Sequence, residues 1–162
     1  MPVAASVALE TITQTETGIE MCSVRVGETL FGIPVMSILE ILGAPATHSV
    51  PLAPFYIGGL VHYRGEVLTA VSMRRLLELP PASGVQDILV FEGAGGYFGL
   101  LVDAVSEVLM VSPADYEQNP STLHDRKKVL FAGAYKLKSG LLVMLDPDRL
   151  EPMQLSATFS AH

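Results

Sequence analysis

The sequence predicts a mainly-β body of two similar small barrels, with only brief helices. Three observations lead there. Short apolar runs recur at close spacing, separated by Gly-containing turns, as in small barrels. The two halves of the chain repeat one another. "FGIPVMSILEIL" (31–42) aligns without a gap with "FGLLVDAVSEVL" (98–109), and "GLVHYRGEVLTAVSMRRL" (59–76) with "GAYKLKSGLLVMLDPDRL" (133–150). Two matched blocks in the same order argue for an internal duplication. The candidate helices, finally, are all short.

The repeating unit opens with a strand, Met21 to Val26 in the first half and Asp87 to Glu92 in the second. A Gly-containing turn follows, "VGET" or "GAGG", and a second strand carries Phe-Gly. Phe31 and Phe98 are thereby expected at equivalent core positions. A short amphipathic helical turn or bent strand comes next. A hairpin then runs from Leu60 to Tyr63, turns at Arg64-Gly65 and returns over Glu66 to Val71. Its counterpart is Ala134 to Leu137, a turn over Lys138 to Gly140, and Leu141 to Leu145. "VLTAV" and "LLVML" are nearly continuous in apolar residues, as strands covered on both faces are. The best helix is Met73 to Leu79, stopped by the two prolines of "PPASG" (80–84), the clearest internal punctuation. Its counterpart is Pro147 to Leu150, with Asp146 as cap and Pro147 at the first position. The body spans residues 19–155. Residues 1–18 and 156–162 read as flexible tails.

A chain of 162 residues suits one domain and buries a sizeable core. Apolar residues make up 49% of it, against general disorder. The net charge of −7, with no long basic stretch, argues against nucleic-acid binding, which needs clustered Lys and Arg. The single cysteine, Cys22, excludes an intrachain disulfide, fits a reducing compartment and reads as a small core residue. No apolar run is long enough to span a bilayer, and no basic segment precedes the first apolar one as in a signal peptide. A cytoplasmic protein without direct membrane insertion is expected.

Catalytic patterns fail one by one. "EGAGGYFG" has G-x-G-x-x-x-G spacing and leads into a strand, whereas a phosphate site needs a helix N-terminus. It reads as a hairpin turn. No G-x-S-x-G elbow is present. His48 lies in a Pro-flanked loop, His62 reads as a half-buried strand residue and His124 as a solvated loop residue beside "DRKK". Neither these nor His162 shows the spacing of a metal-binding helix. No catalytic residue, cofactor site or metal site is assigned.

The order of strand, "FGIPV..ILEIL", Pro-rich loop, "IGGLVHYRGEVLTAV" and "RRLLEL", with "FGLLVDAVSEVL" and "GLLVMLDPDRL" later, resembles the CheW family of chemotaxis coupling proteins. The resemblance covers about residues 19–155. It implies two interlocked five-stranded SH3-like barrels, no enzymatic activity and no cofactor. It also implies two partners: the cytoplasmic tips of methyl-accepting chemoreceptors and the regulatory domain of a CheA-type histidine kinase. The family hairpin usually reads Leu-Arg-Gly, then apolar residues with a Pro, then Asp-Leu. Here Tyr63 stands for the Leu, Thr69 for the Pro and Ser72 for the Asp. A dedicated partner set in another chemosensory pathway fits these departures equally well. An SH3-like peptide-binding module outside signalling is a further alternative.

The resemblance also places the expected partner-binding residues. Glu40 matches the family's Glu at the end of the first block, and Arg64 the Arg of its hairpin. The two are expected to pair and shape a docking face, with Ile38 and Leu39 as apolar neighbours and Gly65 completing the turn. For Ile38 and Leu39 ordinary core is the competing reading, and for Gly65 an ordinary turn. Of Arg74 and Arg75, one is expected to point into solvent, since adjacent helical residues face different ways.

Overall fold

Strand β1 (Ile19–Val26) and β2 (Thr29–Pro34) form a hairpin around Gly27-Glu28, with Gly27 at φ +61°. After a single 3-10 turn (Val35–Ser37) the chain enters a second sheet. There it lays down β3 (Glu40–Leu42), β4 (Ile57–Tyr63), β5 (Glu66–Ser72), helix α1 (Met73–Leu76), β6 (Asp87–Gly93) and β7 (Gly96–Val102). It crosses back at Asp103 to form β8 (Ala104–Val111), β9 (Tyr116–Glu117), β10 (Phe131–Leu137) and β11 (Gly140–Leu145), then α2 (Pro147–Leu150) and α3 (Pro152–Phe159). These elements come from a computed structural model, which describes residues 18–118 and 129–159. Most of the N-terminal segment, His124 with its charged neighbours, and His162 lie outside those residues.

The two sheets are the duplication made physical. One has the order β8-β1-β2-β11-β10-β9, the other β3-β6-β7-β5-β4. Written by repeat, each joins the first two strands of one half to the later strands of the other, four in the first sheet and three in the second. Phe31 pairs with Val24 on one side and, in parallel, with Val143 on the other. Phe98 pairs likewise with Phe91 and Thr69. The expected equivalence of Phe31 and Phe98 therefore holds in register, and both are buried in one shared central core. Where two five-stranded units were expected, the first sheet carries a sixth strand, the two-residue β9. In the other sheet a single bridge, His48 to Leu60, does the same job of covering the hairpin's outer edge.

The repeated Phe-Gly pair has a packing reason. The Phe faces the central core; the Gly makes room inside each barrel for a Leu of the hairpin. A methyl group on Gly32 would stand 2.7 Å from Leu142 Cδ2, and one on Gly99 3.0 Å from Leu68 Cδ1. Leu142 and Leu68 anchor the two smaller cores, one per barrel. The strand runs are covered on both faces as expected, but only from Leu68 and Leu142 onward: Val67 and Leu141 are exposed.

Several local expectations change. Helix α1 stops at Leu76, well before the prolines. Glu78 takes a left-handed φ of +60°, its N–H donates to Arg75 O and that of Leu79 to Arg74 O. This pairing terminates a helix by itself, so the prolines only follow the stop. The second hairpin turns on Lys138-Ser139 alone, with Gly140 the first residue of β11. Residues 156–159 are not tail but the end of α3. Leu155 is fully buried, and the Phe159 ring stacks on Tyr56 at 5.8 Å. His62 is exposed rather than half-buried, because Val61 and Tyr63 take the interior positions of β4. Cys22 is buried as expected, and burial pushes its thiol up.

Both arginines after the hairpin have partners. Arg75 Nη1 donates to Ile57 O at 2.6 Å, and its repeat counterpart Arg149 donates to the equivalent Phe131 O at 2.7 Å. Each ties its helix to the bulged start of the hairpin. Ser72 Oγ caps α1 by accepting from Arg75 N–H, as Asp146 caps α2 by accepting from Asp148 N–H. Ser72 thus performs the capping that the Asp performs in the other repeat. Arg74 instead forms a two-pronged bond to Asp103, at 2.7 and 2.8 Å, and donates to Pro80 O. Asp103 also accepts from Gly27 N–H of the other sheet at 2.8 Å. One carboxylate thereby pins both sheets at the second crossing.

Phe31→Ala is expected to cost about 3–5 kcal/mol, as loss of a buried aromatic ring does. Gly99→Ala should cost about 1–3 kcal/mol from overpacking. Urea denaturation measures both. Arg74 beside it, helped by the Gly27 N–H, holds the Asp103 carboxyl below its ordinary 3.8. A lowered folded-state value stabilises the fold above the unfolded-state pKa, near 3.9, and that stabilisation is lost as pH falls through the folded value. The stability advantage of the native chain over Asp103→Asn should therefore be full at neutral pH and shrink below about pH 4.

Candidate functional site

Arg64 and Gly65 are the two central residues of the β4–β5 turn. Their φ values are +50° and +78°, both left-handed, as a two-residue hairpin of right-handed twist requires. For Gly65 this costs nothing, and no atom lies within 4 Å of where its Cβ would stand. Its work is conformational, not steric. Arg64 occupies the same region without a glycine's freedom.

Its side chain folds back from the tip. Nη2 donates to Glu40 Oε1 at 2.8 Å and Nε to the same oxygen at 3.2 Å. The expected pair is therefore formed. A third donor was not foreseen: Tyr63 Oη donates to that oxygen at 3.1 Å. Tyr63 is buried, its ring meets Tyr97 edge-on at 5.4 Å, and the Arg64 guanidinium lies 5.5 Å from its centre. All three donors converge on Oε1, so Oε2 accepts no hydrogen bond among the described residues.

The charges respond accordingly. Arg64, with the Tyr63 hydroxyl, holds the Glu40 carboxyl below its usual range. Burial, then the nearby Glu40, pushes the Tyr63 phenol up, and Glu40 raises Arg64 further. The carboxylate stays ionised and the phenol stays protonated throughout the neutral range. The pair is open to water, with side-chain exposures of 72% for Arg64 and 36% for Glu40. It orients groups; exposed pairs add little stability.

Its placement matters more than its strength. β3 and β4 are the two outermost strands of the five-stranded sheet. Glu40 belongs to β3, Tyr63 ends β4 and Arg64 follows it, so the contact joins the sheet's opposite edges through side chains alone. Period-2 alternation then sorts the remaining residues. Ile38, half-buried, packs on the central core. Leu39 and Ile41 point to the face opposite Glu40 and are 50% and 46% exposed. The structure thus brings Glu40, Arg64 and Gly65 together and separates Ile38 from Leu39. The signal for Tyr63 was its interior phase on β4 and its departure from the family's Leu. Which carboxylate its hydroxyl would meet was not readable from the chain.

Among the described residues, no group of three His, Cys, Asp or Glu side chains could hold a metal ion, and no helix is long and apolar enough to cross a membrane. A cleft of about 380 Å³ between the sheets is lined by Pro34, Ser37, Glu92, Phe98, Met144 and Asp148 among others.

The sequence profile described as CheW-like domain matches residues 20–153. The chemotaxis protein CheW of Rhizobium meliloti is 30% identical over 142 residues, covering 86% of this chain and 92% of that protein. Protein FrzA of Myxococcus xanthus is 31% identical over 93 residues, 56% of this chain and 58% of its own length. The scaffolding protein TtCheW of Thermoanaerobacter tengcongensis shares the fold, with a TM-score of 0.73 at 19% identity over 83% of this chain and 92% of its own. With the expected fold, the duplicated blocks and the hairpin contact all present, the chain belongs to the CheW-like family of chemotaxis adaptor proteins.

Proposed function

We propose that this chain is a non-enzymatic cytoplasmic scaffold that couples the cytoplasmic tips of chemoreceptors to the regulatory domain of a CheA-type histidine kinase. The observation that carries the reading is the family match over residues 20–153, which takes up almost all of the described body. The Glu40–Arg64–Tyr63 contact supplies the docking edge. In this reading the Glu40–Arg64 pair fixes the shape of the docking edge, and Leu39 beside it meets a partner. Ile38 supports β3 from the core side, and Gly65 holds the turn that aims Arg64. Interface charges of this exposed kind set orientation and selectivity more than raw affinity. The reading needs no cofactor.

A second reading keeps the adaptor role and changes the pathway. It is favoured by Tyr63, whose hydroxyl adds a third donor to the Glu40–Arg64 pair. A partner set matched to that altered edge would belong to a chemosensory system other than flagellar motility.

The test is a binding measurement against a chemoreceptor cytoplasmic fragment and a CheA-type kinase regulatory domain from the same organism. Arg64→Ala and Glu40→Ala are each expected to weaken binding about tenfold while the thermal midpoint stays within a few degrees, since the pair is exposed. The double variant should lose little more than either single one, because both remove the same contact. Exchanging the charges, Glu40→Arg with Arg64→Glu, should recover part of the affinity. Two fully additive losses would instead mean that each residue touches a partner by itself. Undiminished binding in all variants would remove this edge from the interface. Tyr63→Leu separates the two readings: it should improve binding to flagellar-pathway partners under the second and weaken it under the first, because Glu40 loses one of its three donors.

A further inference from the structure

We infer that His48 and His62 form a two-imidazole chelate for a late first-row divalent ion, Ni²⁺, Cu²⁺ or Zn²⁺, on the outer edge of the five-stranded sheet. The two are far apart in sequence and meet only through the fold. The loop after β3 returns along β4, where Leu60 N–H donates to His48 O at 2.7 Å and His48 N–H to Leu60 O at 2.9 Å. This isolated antiparallel bridge places His48 opposite Leu60. His62, two residues on from Leu60, shares its face and sits diagonally across from His48. The ring centroids are 5.9 Å apart with planes at 77°.

That spacing is close to what a shared ion needs. With metal–nitrogen bonds of about 2.0–2.1 Å and the ring centre roughly 1.1 Å further out, two imidazoles on one ion have centroids about 4.5–5 Å apart at right or tetrahedral angles, so the observed pair needs to close by roughly 1 Å through rotation of the two exposed side chains. Both side chains are exposed, and neither has a hydrogen-bond partner on the protein among the described residues. Their nitrogen lone pairs are therefore available to an ion. Imidazole is a favoured ligand for all three metals. The approach of the loop is itself built. Gly59, at φ +148°, leaves the space in which a Cβ would stand 2.6 Å from Thr47 Cγ2 and 2.7 Å from His48 O.

The other repeat provides the contrast. Glu117 bridges Ala134 as His48 bridges Leu60. Lys136 then occupies the place of His62. At that edge the diagonal pair has opposite charges and can attract without help. At this edge two imidazoles stand in the same places, and an ion can serve as the third member. With two protein ligands, the remaining coordination positions are left to water or to a donor from a bound partner, one residue away from Tyr63. The inference stands independently of the adaptor reading.

Titration calorimetry of the untagged full chain with NiCl₂, CuCl₂ and ZnCl₂ tests it, beside His48→Ala and His62→Ala. Saturable one-to-one binding is expected, weakened at least about tenfold in each variant, as loss of one of two ligands implies. The ion should also raise the thermal midpoint of the native chain and not of the variants, because only the folded state holds both ligands together. Substoichiometric Cu²⁺ should broaden the ring resonances of His48 and His62 first. Circular dichroism checks that the variants, altered only at exposed side chains, remain folded. No saturable binding up to about 1 mM, a range already weak for a specific site, would overturn the site. So would unchanged affinity in both variants, which would move the ion to His124, His162 or another group.

Discussion

The pairing on which the rest of the molecule depends is the parallel contact of Phe31 with Val143, and of Phe98 with Thr69. Each joins the second strand of one repeat to the last strand of the other. Parallel neighbours cannot be linked by a tight turn, so each pairing forces a long crossover. Between β2 and β11 the chain sends a five-strand segment, β3 to β7, into the second sheet before returning; between β5 and β7 it runs through α1 and then β6 of the same sheet. Neither half can then complete a barrel without the other. The central core holds both rings, with Phe31 5.8 Å from Phe131 and Phe98 5.4 Å from Phe91. Loss of either ring is felt in both sheets at once.

The hairpins hang from this frame by repeated fastenings. Arg75 and Arg149 bind equivalent carbonyls, Ser72 and Asp146 cap equivalent helices, and Gly59 and Gly133 sit at equivalent bulges with positive φ. With its base fixed in this way, the β4–β5 tip can present Arg64 at a defined height. Glu40 receives it because the same sheet curls until its two outer strands face each other. The functional edge is thus a product of barrel curvature as much as of the two charges.

Where the repeats differ, the differences collect around the crossings and edges. Asp103 clamps Arg74 and Gly27 at the return crossing. At the other crossing, Val35–Ser37, no such clamp is formed among the described residues, and Pro34 and Ser37 line the open cleft instead. At the outer edges, β9 covers one hairpin and the His48 bridge the other. A duplicated fold can keep its core symmetric, because packing demands it, while its rims diverge for separate uses.

Much of this was legible in the chain. Strand positions followed from apolar phase, and the duplication from two gapless alignments. The pairing of Glu40 with Arg64 followed from the family pattern. The Arg-Leu finish of both repeats was visible as well, but that its arginine binds the hairpin base was not. These features are local or periodic, and local physics writes them into the order of residues. What the tertiary structure alone decided lies in the meetings of distant segments. Among them are the exchange of strands between repeats, Tyr63 as the third donor to Glu40, Asp103 as the pin between sheets, and His48 beside His62. The stacking of Phe159 on Tyr56, in a segment that reads as tail, belongs with them. Composition and period fix which face of a strand is buried, but a side chain's partner depends on which strand lies alongside and how far the sheet curls.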